Sequence, residues 1–132
     1  MGEMISLERE GSVGQILLHR APANAYNKEF TQELDEAVEA VRSDDAIHAV
    51  VLSSTLPRFF SAGADVKFFQ ASTMPEKEKF ILHMHEVLRK IEMTPKVFIA
   101  AIAGHCLGGG MEIALALDPS PGMCSRISTL EL

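Results

Sequence analysis

Two amphipathic stretches set among short apolar runs restrict what this chain can fold into more than any other feature. From Lys28 to Val41 the residues Phe30, Leu34, Ala37, Val38 and Val41 recur at helical spacing, while Glu29, Glu33, Asp35, Glu36 and Glu39 take the other faces. A second stripe, Phe80, Met84, Val87, Leu88 and Ile91, follows Pro75, which suits the first turn of a helix, and is stopped by Thr94 and Pro95. Each helix has one apolar side and needs another layer against which to bury it. The apolar runs supply that layer. Met4 to Arg9 and Val13 to Leu18, separated by Gly11 and Ser12, read as a hairpin, and Ala49 to Leu52 and Val97 to Ile102 read as buried strands. A loop with Pro57 follows the third strand. Gly104 to Gly110 breaks the last one, and Met111 to Leu117 restarts as a helix of good formers. The order is strand, strand, helix, strand, glycine-containing loop, helix, strand, glycine-rich loop, helix, an α/β alternation without internal repeat in residue identity. After Asp118 the stretch PSPGMCSRISTLEL loses both periodicities, so residues 1–118 form the organised part and 119–132 a divergent tail expected to be loosely held or extended.

Composition narrows the function classes. A length of 132 residues with 47% apolar content suits one domain with a real core. The net charge of -6, with no basic cluster, argues against nucleic acid and anionic membrane as partners. The start MGEMISLEREG carries charges where a signal peptide needs an apolar core, and no apolar stretch of about 18 residues is present to span a bilayer. A cytoplasmic location is the default expectation, and an organellar protein without its transit peptide fits equally. Cys106 and Cys124 lack metal or redox spacing, so they are expected to be free thiols in a reducing compartment, with no metal site.

Two loops are candidates for chemistry. In FSAGADVK (Phe60 to Lys67), Ala62, Gly63 and Ala64 would let a ligand approach the backbone, although in isolation an ordinary tight turn needing Gly63 for positive φ is the favoured reading. GHCLGGGMEIA (Gly104 to Ala114) puts three glycines before a helix, where unpaired N–H groups and the helix dipole favour negative charge. It lacks the GK[ST] ending of a P-loop and the GxGxxG spacing of a dinucleotide fold. Close strand-to-helix packing would also account for these glycines. Glu112, in the first turn of that helix, suits either a favourable interaction with the helix N-terminus or a general base beside an anion-binding loop.

Taken together, the loops give the chain a resemblance to the enoyl-CoA hydratase/isomerase (crotonase) family. The matching stretches run in order: the hairpin, the Arg20-containing turn with Asn24-Ala25, HAVVLSS leading to FSAGADVK, and TPKVFIAAIAGHCLGGGMEIALALD. They cover roughly residues 4 to 118. The resemblance implies a crotonase-like spiral of ββα units, incomplete at the C-terminus, in which one backbone N–H from each loop holds an acyl-CoA thioester oxygen. Carried over, the donors are the N–H groups of Ala64 and Gly109. Asp65, Val66 and Lys67 continue the first loop along the CoA chain, and Ala23 to Ala25 lie near the adenosyl end. For Lys67, a contact with a CoA phosphate and a solvated surface position are both open.

Glu112 matches the first of two glutamates that activate water in family hydratases. The second has no counterpart here, and Ala103 stands where many members have Asn. The implied activity is hydration of a 2-enoyl-CoA. The alternatives are an enoyl-CoA isomerase and a non-catalytic or truncated acyl-CoA-binding module. Coenzyme A would arrive as part of the substrate, with no separate cofactor, and the full-length family assembles as trimers or hexamers.

Overall fold

A computed structural model describes residues 2–107, 110, 118–119 and 130–131. β1 (Ile5–Glu10) and β2 (Val13–Leu18) form the expected hairpin, closed at Gly11 and Ser12 with Glu10 opposite Val13. α1 (Lys28–Ser43) follows, then β3 (Ala49–Ser54), β4 (Phe59–Ser61), α2 (Val66–Ala71), α3 (Met74–Met93), β5 (Val97–Ala101) and β6 (His105–Leu107). Two short strands complete the described elements, β7 (Asp118–Pro119) and β8 (Leu130–Glu131). The helix expected over Met111–Leu117 lies outside the described residues, as does Cys124.

The strands sort into two sheets. One has the order β1-β2-β3-β5-β7 and is parallel beyond the hairpin; the other, β4-β6-β8, is parallel throughout. A repeat absent from residue identity is therefore present in topology. From β3 onward, successive strands alternate between the two sheets, and α2 and α3 return the chain after the β3–β4 pair. Registers of Leu18 with Ser54 and of Ser53 with Ala101 bring the C-terminal ends of β2, β3 and β5 side by side.

The expected apolar stripe of α1 is buried in full, with Phe30, Ala37, Val38 and Val41 wholly removed from solvent. Asn27 caps the helix start by accepting from the Phe30 N–H at 2.9 Å, which satisfies a donor that has no partner in the first turn. At the other end the Lys96 ammonium donates to the carbonyls of Val41 and Asp44, both at 2.6 Å, where the helix dipole is negative. α3 begins with a reciprocal Thr73–Glu76 capping box and a proline in its first turn. Its stripe is buried at Phe80, Met84, Val87 and Ile91, with Leu88 at the margin.

α1 and α3 are clamped together by Asp35. One carboxylate oxygen lies 2.7 Å from the Lys90 ammonium and the other 2.9 Å from His83 Nε2, while Glu39 lies 3.0 Å from the same ammonium. Cys106 is a buried free thiol, and desolvation pushes its pKa up to about 11.

Three elements differ from the sequence expectation. Both glycine-containing loops begin with three-residue strands, β4 and β6, too short to display an alternation. These strands exist because they pair with each other across the fold. Val66 and Lys67 are not loop residues but open α2, because the Asp65 carboxylate accepts from the Lys67 and Phe68 N–H groups and so caps a new helix.

Candidate functional site

The site is built where β4 and β6 end. They run parallel with Phe59 opposite His105 and Ser61 opposite Cys106, so both chains leave the sheet at the same end, about 4.8 Å apart. The two loops expected to act together are thus continuations of adjacent strands. Their approach is close enough to demand a glycine. A Cβ added at Gly110 would collide with the Ser61 carbonyl oxygen and lie 2.7 Å from the Ser61 Cβ.

Beyond β4 the chain zips onto the segment before α1. Ala62 N–H donates to Ala23 O, Tyr26 N–H donates to Gly63 O, and Asp65 N–H donates to Tyr26 O, each at 2.9 Å. This pattern places Tyr26 opposite Ala64 in a parallel bridge. The consequence for Ala64 follows from peptide planarity. Gly63 C=O and Ala64 N–H belong to one rigid trans unit and point in opposite directions, so anchoring that carbonyl on Tyr26 turns the Ala64 N–H away from it. Gly63 N–H is taken by Ser61 Oγ at 3.1 Å and Asp65 N–H by Tyr26, but the Ala64 N–H has no acceptor among the described residues. Gly63 itself has φ +88°, a conformation that admits glycine far more readily than any other residue.

The turn that carries Ala23 and Ala25 is held by Asn24, fully buried with φ 51°. Its side-chain amide donates to Ser54 Oγ at 2.7 Å and Phe60 O at 2.9 Å, and its carbonyl oxygen accepts from Arg20 N–H at 2.8 Å. Ser61 Oγ in turn donates to Asn24 O at 2.9 Å. One asparagine thereby joins the ends of β3 and β4 to the stretch leaving β2. Sequence reasoning placed Asn24 beside the site without this role and passed over Ser61. The available signal was a polar residue in a Pro-x-Asn turn, because asparagine tolerates positive φ better than most side chains.

Ala23, Ala25, Ala64, Asp65, Val66 and Lys67 line a single cleft of about 320 Å³ with Arg20 and Pro22. Arg20 closes one side by pairing with Asp65 at 3.0 Å while donating to Ala25 O. Partial burial tends to raise the Asp65 carboxyl, but hydrogen bonds from Phe68 N–H and Arg20 outweigh it and leave the pKa below the usual carboxylate value. Arg20 is thus neutralised locally. Lys67 is exposed and takes part in none of the ion pairs among the described residues, so it remains the cleft's uncompensated cation. A larger cleft, about 790 Å³, lies between α2 and α3 with Phe68, Phe80 and Leu82 in its wall. Gly109 and Glu112, the other expected site residues, lie outside the described residues.

The comparisons with known proteins fit this arrangement. A profile described as enoyl-CoA hydratase/isomerase matches residues 8–120. The chain belongs to the enoyl-CoA hydratase/isomerase family. It is 37% identical to a crotonyl-CoA hydratase of Syntrophomonas wolfei, with 88% of this chain aligned to 45% of that protein. It is 35% identical to a short-chain-enoyl-CoA hydratase of Clostridium acetobutylicum, with 86% of this chain aligned to 44% of that protein. The enoyl-CoA hydratase structure from Geobacillus kaustophilus superposes with a TM-score of 0.87 at 38% identity, covering 89% of this chain and 45% of that one. The fold is therefore crotonase-like, and this chain spans less than half the length of these relatives. No helix among the described residues is long and apolar enough to cross a membrane.

Proposed function

We propose that this chain provides the oxyanion-binding part of an enoyl-CoA hydratase, with the N–H groups of Ala64 and Gly109 holding the thioester oxygen. Water adding across a 2,3-double bond places its oxygen on C3 and drives electron density through C2 onto the thioester oxygen. The proton that Glu112 takes from the water is then returned to C2. Two fixed donors stabilise the transient enolate, and losing one costs about 3 to 4 kcal/mol in such sites. The observation that carries the reading is the Ala64 N–H, turned away from its own ladder and without an acceptor among the described residues. Glu112 takes the proton from the attacking water, a role that rests on its match to the first water-activating glutamate of family hydratases. Asp65, Val66 and Lys67 border the CoA chain, Ala23 and Ala25 flank its adenosyl end, and Lys67 offers its unpaired charge to a phosphate. Coenzyme A enters with the substrate, and no other cofactor is required.

Purified full chain is expected to hydrate crotonyl-CoA, and Glu112→Gln to abolish hydration while CoA-ester binding persists. Unchanged turnover in that variant rejects the role of Glu112. A second reading is an acyl-CoA-binding module without catalysis. It is distinguished by saturable CoA-ester binding with no turnover in the unmodified protein. Absence of binding in calorimetry removes both readings.

A further inference from the structure

Resting on the hydratase reading, we infer that Ser61 is a positioning residue whose hydroxyl sets the aim of the Ala64 N–H and whose backbone sets how closely the second loop approaches at Gly110. Ser61 is fully buried and is the residue of β4 that meets both loops. Its Oγ accepts from Gly63 N–H at 3.1 Å and donates to Asn24 O at 2.9 Å. The first contact fixes the peptide plane preceding the one that carries the Ala64 N–H. The second ties that plane to the buried turn at Asn24. On its other side, the carbonyl and Cβ of Ser61 occupy the space a side chain at position 110 would need, and Gly110 directly follows the second donor. Ser61 therefore acts as the spacer between the loops. Removal of its hydroxyl leaves Gly63 N–H and Asn24 C=O without a buried partner, so the aim of the 62–65 turn is then set only by its backbone bonds to Ala23 and Tyr26. Addition of a methyl at Gly110 forces the loops apart from the opposite direction.

The test uses the full chain and crotonyl-CoA labelled with carbon-13 at the thioester carbon. Bound to the unmodified protein, the thioester C=O stretch is expected to fall below its frequency in water, because two donors polarise it. In Ser61→Ala the band should return at least halfway toward the solution value, with kcat down about tenfold and KM little changed, since a loss confined to the transition state lowers kcat. Ser61→Thr, which keeps the hydroxyl, should retain more of the shift and of kcat than Ser61→Ala. Gly110→Ala should lose the shift while keeping the far-ultraviolet circular dichroism of the unmodified protein, and it decides the matter alone if Ser61→Ala does not fold.

A folded Ser61→Ala or, failing that, a folded Gly110→Ala with the unmodified band position overturns the inference and leaves the hydratase reading standing, even if its melting temperature is lower. A bound ester whose carbonyl is unshifted in the unmodified protein overturns the hydratase reading, and the role of Ser61 with it.

Discussion

Replacing Asn24 tests how the cleft is held in place, and its cost can be worked from the bonds it makes. The side chain contributes three good hydrogen bonds, to Phe60 O at 2.9 Å in the interior and to Ser54 Oγ at 2.7 Å and Arg20 N–H at 2.8 Å at its margin. The 3.4 Å contact with Leu18 O adds little. At about 1 kcal/mol net for each lost bond, Asn24→Ala forfeits about 3 kcal/mol. Alanine must also hold φ 51°, which costs about 1 kcal/mol more than it does for asparagine. The total, about 4 kcal/mol, is a large part of the 5–15 kcal/mol typical of a folded domain. Glycine loses the same bonds but adopts positive φ freely, so Asn24→Gly should cost about 3 kcal/mol even though it removes more atoms. Urea unfolding followed by circular dichroism measures both variants. Glycine proving less stable than alanine would refute the backbone argument, and losses below about 1 kcal/mol in both would refute the network argument.

Two further outcomes follow from the packing and the charges. Phe30 is wholly buried beside the Tyr26 ring at a centroid distance of 6.2 Å, so Phe30→Ala should cost about 3 to 5 kcal/mol in the same unfolding measurement; a loss under about 1 kcal/mol would place the core elsewhere. In the α1–α3 clamp, burial pushes the Asp35 carboxyl upward, but hydrogen bonds from Lys90 and His83 hold it below its usual 3.8. A depressed folded pKa means that its contribution is present above 3.8 and is lost as acid carries the pH down through the lowered value. Hydrogen bonds from Asp35 and Glu39 raise Lys90 above 10.5, so its contribution is present below that pH and is lost as alkali carries the pH up through the raised value. The stability gap between the unmodified protein and Asp35→Asn should accordingly shrink on acidification below 3.8, and a gap that ignores pH would show that the ion pair is not its source.

Periodicity in the sequence revealed the elements long enough to show it. α1, α3 and the β1–β2 hairpin fall within one or two residues of their expected limits, because sixteen- and twenty-residue helices repeat their apolar stripe several times. β4, β6 and α2 were hidden for the opposite reason. Three residues cannot alternate visibly, and a six-residue helix with no buried residue has no stripe. Their signals were tertiary: strand pairing between distant segments, and a cap at Asp65 that also reads as a loop aspartate.

The cleft residues were legible only through resemblance, since AGAD alone fits an ordinary turn. Ser61 and Tyr26 escaped even that route. Their roles depend on which partner a hydroxyl or a backbone amide finds, and neither leaves a mark on composition or spacing.

The side-by-side exit of β4 and β6 also bears on how the protein should fold. Ser61 and Cys106 are brought into register only after the whole of α2, α3 and β5 has been laid down between them. A molecule that has collapsed only around its first hairpin and α1 would thus own a protected core but no ligand pocket. Competence to bind should appear in a single late step, slowed by the entropy of closing that long excursion.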